Sequence, residues 1–412
     1  MTRRLLALVG GAAVIAAGAA LLWPAATGPA PQTPWGDPDL QGLWTYEVEV
    51  PLQRPARYGD REFLTDEERA ALDKERAAIL GRTAEGTRRF ERGTEQDVAG
   101  AYNAAVFTTH RPTGQRTSLI VDPPNGQIPP LTPEAQKKRD DIRAFQLALL
   151  QPTDVCRNGL PSCVGGKYGP PSPRRNEPPP HYITVVNAGG AVVGGGGGAI
   201  NRSFNPEDRN LLERCMAGVL PDFGSNLGFL LQIVQSRGAV AIFYDTSQGQ
   251  GWQRIIPVSD TAHAPQHVRQ WWGNSRGRWE GDTLVVDVTN FSPKTYFNGA
   301  YENLHLTERW RRIDDRTIEY TVTMEDPTVW TRPWTVRQEY KKQSDAENRV
   351  YKEPRCHEGN YGMTSLLSGA RVEERAFAQG RGPDPATKCT AACGGFAMGF
   401  DDAGEDANPL TR

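Results

Sequence analysis

The run Leu304-His-Leu-Thr-Glu-Arg-Trp-Arg-Arg312 sets one carboxylate among apolar residues. Successive side chains of a strand point to opposite faces. Leu304, Leu306, Glu308 and Trp310 therefore share one face, and His305, Thr307, Arg309 and Arg311 share the other. A carboxylate beside Leu and Trp is either ion-paired, with Arg276, Arg278 or Arg332 as candidate partners, or has its pKa raised into the range useful for proton transfer. The ion pair is the commoner outcome. His263-Ala-Pro-Gln-His267 has the spacing of a helical metal pair, but Pro265 breaks the helix that spacing needs and no acidic third ligand is near in sequence, so no metal is expected. Gly273-Asn-Ser-Arg-Gly277 spells a nucleophile elbow around Ser275, yet it precedes a strand instead of joining a strand to a helix, which argues against a serine hydrolase. Asp282 and Asp326 read as turn caps.

These groups need a sheet to hold them, and the second half of the chain supplies its pattern. Residues 229–234 and 239–244 are apolar runs broken by Ser-Arg-Gly, which suits a hairpin; 284–288, 303–313, 317–324 and 334–341 follow at meander spacing. Regular strands with short turns predict an antiparallel sheet that curls or closes. Earlier, Thr65-Asp-Glu-Glu68 is a capping-box pattern opening a helix to about residue 81, a short strand covers 118–121, and a second helix begins near Thr132-Pro-Glu134. Residues 151–180 hold many prolines and two cysteines and read as a stapled loop. The glycine run 189–198 lacks a Gly-Lys-Ser/Thr ending and does not lead into a helix, so no nucleotide cofactor is expected.

The segment Trp271 to Phe291 reads as a turn rich in Trp, Arg and carboxylates followed by an alternating strand. It resembles the signature Gly-Asp-Ser-x-Gly-x-Trp-Glu-Gly-Asp-Thr-Leu-Val-Val of a widespread family of exported bacterial proteins. Further matching blocks are Pro38 to Trp44, Thr117 to Glu134, Glu213 to Cys215, Leu304 to Arg309, Glu325 to Pro327, Thr331 to Trp334 and Cys356 to Tyr361. The resemblance implies export and carries no reaction with it; by analogy, the Gly-x-Trp-Glu-Gly-Asp turn looks like hairpins of calycin-type, lipocalin-like barrels. His263 aligns with the histidine of the family's Arg-Pro-His turn. The strand before that turn departs from the family: an acidic residue and a His-Asp pair are replaced here by Ile242 to Gly251.

The opening Thr2-Arg-Arg4, the apolar run 5–23 and the small residues after it form a signal peptide or, given the length of the run, an uncleaved membrane anchor. Six cysteines in an exported chain read as disulfides. Cys156 with Cys163 and Cys389 with Cys393 are local pairs, which leaves Cys215 with Cys356, each within a family block, among fifteen formal connectivities. A net charge of −2 from 47 basic and 49 acidic residues, without long blocks of either sign, argues against a nucleic-acid partner. No signal fixes an oligomeric state.

The expected protein is mainly β, with an antiparallel barrel-like, calycin-like sheet and helical and loop insertions. Residues 1–30 are the leader, 31–180 an N-terminal lobe, 181–375 the β lobe and 376–412 a disordered tail. The expected function is cofactor-independent acid–base chemistry, of lyase, isomerase or hydrolase type, on a bulky apolar or aromatic small molecule. Glu308, His305, His263 and Arg276 would be the working groups, and Trp271, Trp279, Trp310, Trp334, Tyr244 and His357 would line the pocket. The alternative is a periplasmic carrier that uses the same pocket without chemistry.

Overall fold

A computed structural model describes residues 31–79, 111–158, 163, 166–181, 201–209, 214, 220–223, 230–245, 252–344 and 361–388. Its centre is one ten-stranded sheet: β1 (Gly42–Thr45), β2 (Ile120–Asp122), β3 (Leu230–Ser236), β4 (Ala239–Asp245), β5 (Trp252–Pro257), β6 (Asn274–Glu280), β7 (Thr283–Thr289), β8 (His305–Asp314), β9 (Thr317–Glu325) and β10 (Trp334–Lys342). The order is β5-β4-β3-β1-β10-β9-β8-β7-β6, every neighbour along it antiparallel. The free edge of β10 is shared, β2 pairing at Thr335 and Val336 and β1 at Lys341 and Lys342. Strands from the N-terminal region thus belong to the same sheet as the rest.

The sheet curls until β5 meets β6, which makes a nearly closed barrel. At this seam the strands run parallel, joined by the bridge Val258 to Gly277 and by the Ser259 N–H donating to the Gly277 carbonyl at 3.2 Å. Three hairpins close one end with two-residue turns, at 237–238, 281–282 and 315–316. The other end carries the longer connections 290–304 and 326–333. Residues 258–273 run back from the first end to the second as a strap outside the seam.

The signature segment is a hairpin with Gly281 at φ +63° in its turn, a conformation that glycine adopts without strain. Asn274–Glu280 is a strand and not part of a turn, and β5 was not legible at all. The reason is composition: two of the inward residues of β6, Ser275 and Gly277, are small, so the apolar alternation that marks a strand is left to Trp279 alone. Gly277 is small by necessity, since a Cβ there would lie 2.9 Å from Ile256 Cγ2 and 3.3 Å from Val258 Cγ2 across the seam.

The helices start where their caps say. In α1 (Asp66–Ile79), the Glu68 N–H donates to Thr65 Oγ1 at 3.2 Å and the Thr65 N–H donates to Glu68 Oε2 at 2.9 Å, a capping box. In α2 (Pro133–Leu150), Thr132 Oγ1 accepts from the Ala135 N–H and proline fills the first turn. Phe145 and Leu149 of α2 form a small apolar cluster separate from the barrel core. A four-residue α3 (Asp154–Arg157) carries Cys156, which is bridged to Cys163 as expected. The expected disordered tail is ordered where it is described: α4 (Tyr361–Ala378) extends past residue 375, and a 3-10 turn at Pro385–Thr387 buries Ala386, whose carbonyl accepts from Asn201 Nδ2 at 2.8 Å. Cys215, Cys356, Cys389, Cys393 and the leader lie outside the described residues. Among the described residues, no helix is long and apolar enough to cross a membrane.

Gly277→Ala should destabilise the protein by about 1–3 kcal/mol, because the added methyl overpacks the seam against Ile256. Thermal unfolding of the variant measures this; an unchanged melting temperature would mean that the seam is looser than described.

Candidate functional site

Two polar clusters occupy the two faces of β8. On the inner face Glu308 is 0 % exposed. Its Oε2 lies 2.7 Å from Arg254 Nη2 of β5, and the Tyr320 hydroxyl of β9 donates to its Oε1 at 2.8 Å. Arg254 Nε donates to Ser275 Oγ of β6 at 2.9 Å, and its Nη1 reaches the Tyr244 hydroxyl of β4 at 3.4 Å. Sequence alternation had placed Glu308 correctly on the apolar face, but its partner is Arg254. None of the expected arginines reaches it: Arg278 pairs with Glu280, Arg332 with Asp122, and Arg276 Nε donates to the Ala262 carbonyl on the outside.

Burial alone pulls the Arg254 pKa down, but Glu308 and Tyr244 outweigh it and hold the guanidinium charged. Burial, reinforced by the neighbouring Glu308, pushes the Tyr320 hydroxyl well above its ordinary range, so it stays a donor. Glu308 therefore has one oxygen against a cation and the other against a hydroxyl. The aromatic wall around the pair includes Trp310, 4.2 Å between ring centroids from Tyr320, and Tyr244 packed edge-on against Trp272 at 4.8 Å. At the end opposite the three hairpin turns, Trp334 stacks on Phe297 at 6.0 Å and meets Trp330 at 5.5 Å.

On the outer face Asp287 of β7 joins two histidines. His263 Nε2, from the strap, lies 2.6 Å from Asp287 Oδ2, and His305 Nε2 lies 2.5 Å from Oδ1. His305 Nδ1 faces Glu325 Oε2 of β9 at 3.1 Å. His263 Nδ1 faces Asn274 Oδ1 at 3.0 Å, an oxygen that also accepts from the Ala264 N–H at 3.1 Å. Every ring nitrogen of the two histidines thus faces an oxygen, two of them on Asp287, one on Glu325 and one on Asn274. The hydrogen bond to Asp287 raises the His305 pKa against partial burial, with further help from Glu325; the bond from His305 lowers Asp287 in turn.

Of the four expected working groups, His263 and His305 converge on Asp287, and Arg276 is the cross-strand neighbour of that aspartate. Glu308 is on the opposite side of the sheet. Of the expected pocket residues, Trp310, Trp334 and Tyr244 are buried in the barrel, Trp271 and Trp279 pack partly buried against its core, and His357 lies outside the described residues. His267 is exposed and takes no part in the histidine network. Asp326 accepts from the Thr328 N–H at 3.0 Å, the turn role expected of it, whereas Asp282 accepts from the Thr283 hydroxyl at 3.0 Å, a side-chain bond where a backbone one was expected. Sequence reasoning missed Arg254, Tyr320, Asp287, Asn274 and Glu325. A charge within the apolar run Trp252-Gln-Arg-Ile-Ile256 was the available signal for Arg254.

No protein-family model and no curated protein matches the chain. Two solved structures are similar to part of it. One is a secretory abundant heat soluble protein from Ramazzottius varieornatus, 13% identical over 29% of this chain and 75% of that one, with a TM-score of 0.21. The other is a variant of the fluorescent protein UnaG, 18% identical over 31% of this chain and 79% of that one, also at 0.21. The barrel assignment stands on the strand order and the seam.

Removing one partner of the buried pair, by Glu308→Leu or Arg254→Met, should cost about 3–5 kcal/mol, whereas the double replacement should recover most of that loss. Chemical denaturation of the three variants gives the cycle, and additive losses would count against a coupled pair.

The outer network should make stability pH-dependent. His305 has a raised folded pKa, so its contribution is full below the unfolded value of about 6.5 and is lost as the pH rises through the raised one. Asp287 has a lowered folded pKa, so its contribution is lost as the pH falls through that lowered value. The melting temperature of wild type minus that of His305→Gln should peak between the two and shrink toward alkaline pH, with solvent screening keeping the effect within about 1 kcal/mol. A difference that grows with rising pH would contradict the assignment.

Proposed function

We propose that this chain is an exported carrier that holds an apolar small molecule inside the barrel without chemistry on it. One observation carries the reading: Glu308, the carboxylate best placed for acid–base work, is fully buried with both oxygens engaged by Arg254 and Tyr320. A general base needs a lone pair facing substrate, whereas a paired carboxylate in an aromatic interior suits recognition. Small-molecule sites are mostly apolar with a few placed polar groups, and barrel mouths are a recurrent location for them. The described interior has that composition, with Trp310, Trp334 and Tyr320 around the Arg254–Glu308 pair. The leader-like opening and the Cys156–Cys163 bridge support export, since disulfides persist in oxidising compartments.

A fluorescent apolar probe, N-phenyl-1-naphthylamine, titrated into the purified chain should bind saturably at one site and quench tryptophan emission. Recovered apolar and aromatic compounds should be chemically unchanged after long incubation. Absence of saturable binding by a natively folded sample would remove the carrier reading, and conversion of a bound compound would restore the enzyme.

A further inference from the structure

The outer wall of the barrel divides into two halves of different chemistry. On β6 to β10 it is charged and cross-linked, with Glu280 on Arg278 and Arg309, Glu319 on Arg311 and Arg337, and Asp287 between its histidines. On β3 to β5 three successive rows face outward with no charge in them: Gln232, Phe243 and Gln253; Val234, Ala241 and Ile255; Ser236, Ala239 and Pro257. The row beyond, where Leu230 pairs with Asp245, ends this zone. Val234 is 49 % exposed and Ile255 68 %, with Ala241 between them. A sheet face turned to water ordinarily carries polar side chains, and a contiguous apolar patch marks a contact surface.

Two observations identify what meets it. Three strands about 4.8 Å apart and about five residues long make a face on the order of 200–300 Å², far below the roughly 800 Å² per partner of a stable protein interface. A second copy is therefore not held by this face alone. The other observation is the tether. The described chain begins at Pro31, whose carbonyl accepts from the Asp39 N–H at 2.7 Å, and the adjoining Pro38 carbonyl accepts from Gln235 Nε2 of β3 at 3.0 Å. Gln235 lies between the outward Val234 and Ser236. Only residues 24–30 separate Pro31 from the apolar run 5–23, at most about 25 Å of extended chain. That run is close to the roughly 20 residues that span a bilayer, and Arg3 and Arg4 ahead of it favour a cytoplasmic start.

We propose that the leader is retained as an anchor and that the uncharged wall of β3, β4 and β5 lies against the bilayer surface. A tether supplies the effective concentration that so small a face lacks, and weak apolar contact then serves as the second of two anchoring signals. Arg237, exposed in the turn between β3 and β4, sits at the margin of this wall, where an anionic headgroup would meet it. The charged wall of β6 to β10 is left facing water. The assignment is independent of what the barrel interior holds.

The test uses the full chain, leader included, reconstituted into vesicles of phosphatidylcholine with about one-third phosphatidylglycerol. A photo-crosslinking residue, p-benzoylphenylalanine, replaces Ile255 in one sample and Glu339, exposed on the outside of β10, in another. Illumination should attach phospholipid at position 255 about tenfold more often than at 339, read by mass spectrometry. Val234→Glu sets a carboxylate beside position 255 and should cut the lipid adduct there about tenfold, with the melting temperature unchanged because that side chain is half exposed. Equal labelling at the two positions would mean a tether without a preferred face, and adducts from 255 to a second copy of the chain would give the face to a dimer; either result overturns the proposal. Chain recovered from cell membranes should still contain residues 5–23 by intact mass, and recovery only without them overturns it as well. None of these outcomes touches the carrier reading, which the naphthylamine titration decides.

Discussion

The seam between β5 and β6 is the constraint on which the rest of the barrel depends. The hairpin neighbours share long ladders and β1 pairs at two positions with β10 and three with β3, but among the described residues β5 and β6 are joined by a single parallel bridge and one flanking backbone bond. Closure is instead carried by side chains. From inside, Arg254 of β5 reaches across the seam to Ser275 of β6 and on to Glu308 of β8. From outside, the strap 258–273 is fastened to the far side: Arg276 Nε donates to the Ala262 carbonyl, Asn290 Nδ2 to the Ala264 carbonyl, and His263 bonds Asp287. The strap ends in a parallel bridge between Gln270 and Phe291. A buried ion pair is a weak source of net stability compared with apolar packing. Its placement here gives it a different task, since only one register of β5 against β8 brings Arg254 opposite Glu308.

This division explains why the catalytic-looking residues do not assemble into one site. The pleat sends Glu308 and His305 to opposite faces of β8, an odd separation in sequence that no tertiary arrangement can undo. Inside, the carboxylate is spent on the arginine that closes the barrel. Outside, the histidines are spent on the aspartate that holds the strap. Beyond the Arg254–Glu308 ion pair, interior polar atoms without a hydrogen-bond partner among the described residues include the indole N–H groups of Trp310, Trp330 and Trp334 and the amide oxygen of Gln338.

Much of this was legible in the sequence where a local rule governs. Alternation gave the inward face of β8, the meander spacing gave β7 through β10, and Thr65 and Thr132 marked two helix starts to the residue. Cys156 and Cys163 pair because they are close in the chain. The failures share a cause. The inward face of β5 is broken by Arg254 between Trp252 and Ile256, and that of β6 by Ser275 and Gly277 ahead of Trp279, so the apolar period is interrupted in both and these residues make sense only once the seam is known. The partner of Glu308 could not be named because register between distant strands leaves no trace in spacing. Asp287 was passed over because one outward charge on an apolar strand is ordinarily a solvated residue, and the strap that covers it is set by closure of the barrel.

Entry to the interior is restricted by the same architecture. The hairpin end is shut by three two-residue turns and by Arg312, nearly buried, which donates to the carbonyls of Asp39, Asp314 and Asp315. On the carrier reading, entry falls to the opposite end, where Phe297, Trp330 and Trp334 pack together. The connection 326–333 is stitched to the segment before α2: the Thr132 N–H donates to the Val329 carbonyl, Thr132 Oγ1 to the Thr328 carbonyl, and the Thr331 N–H to the Pro130 carbonyl. The connection 290–304 is tied instead to the strap, through Gln270 and through Thr295 Oγ1 donating to the Trp271 carbonyl, and it feeds directly into His305. This connection therefore shares the strap with the histidine network: Gln270 and Trp271 hold one side of it, and His263 and His305 meet on Asp287 beside it.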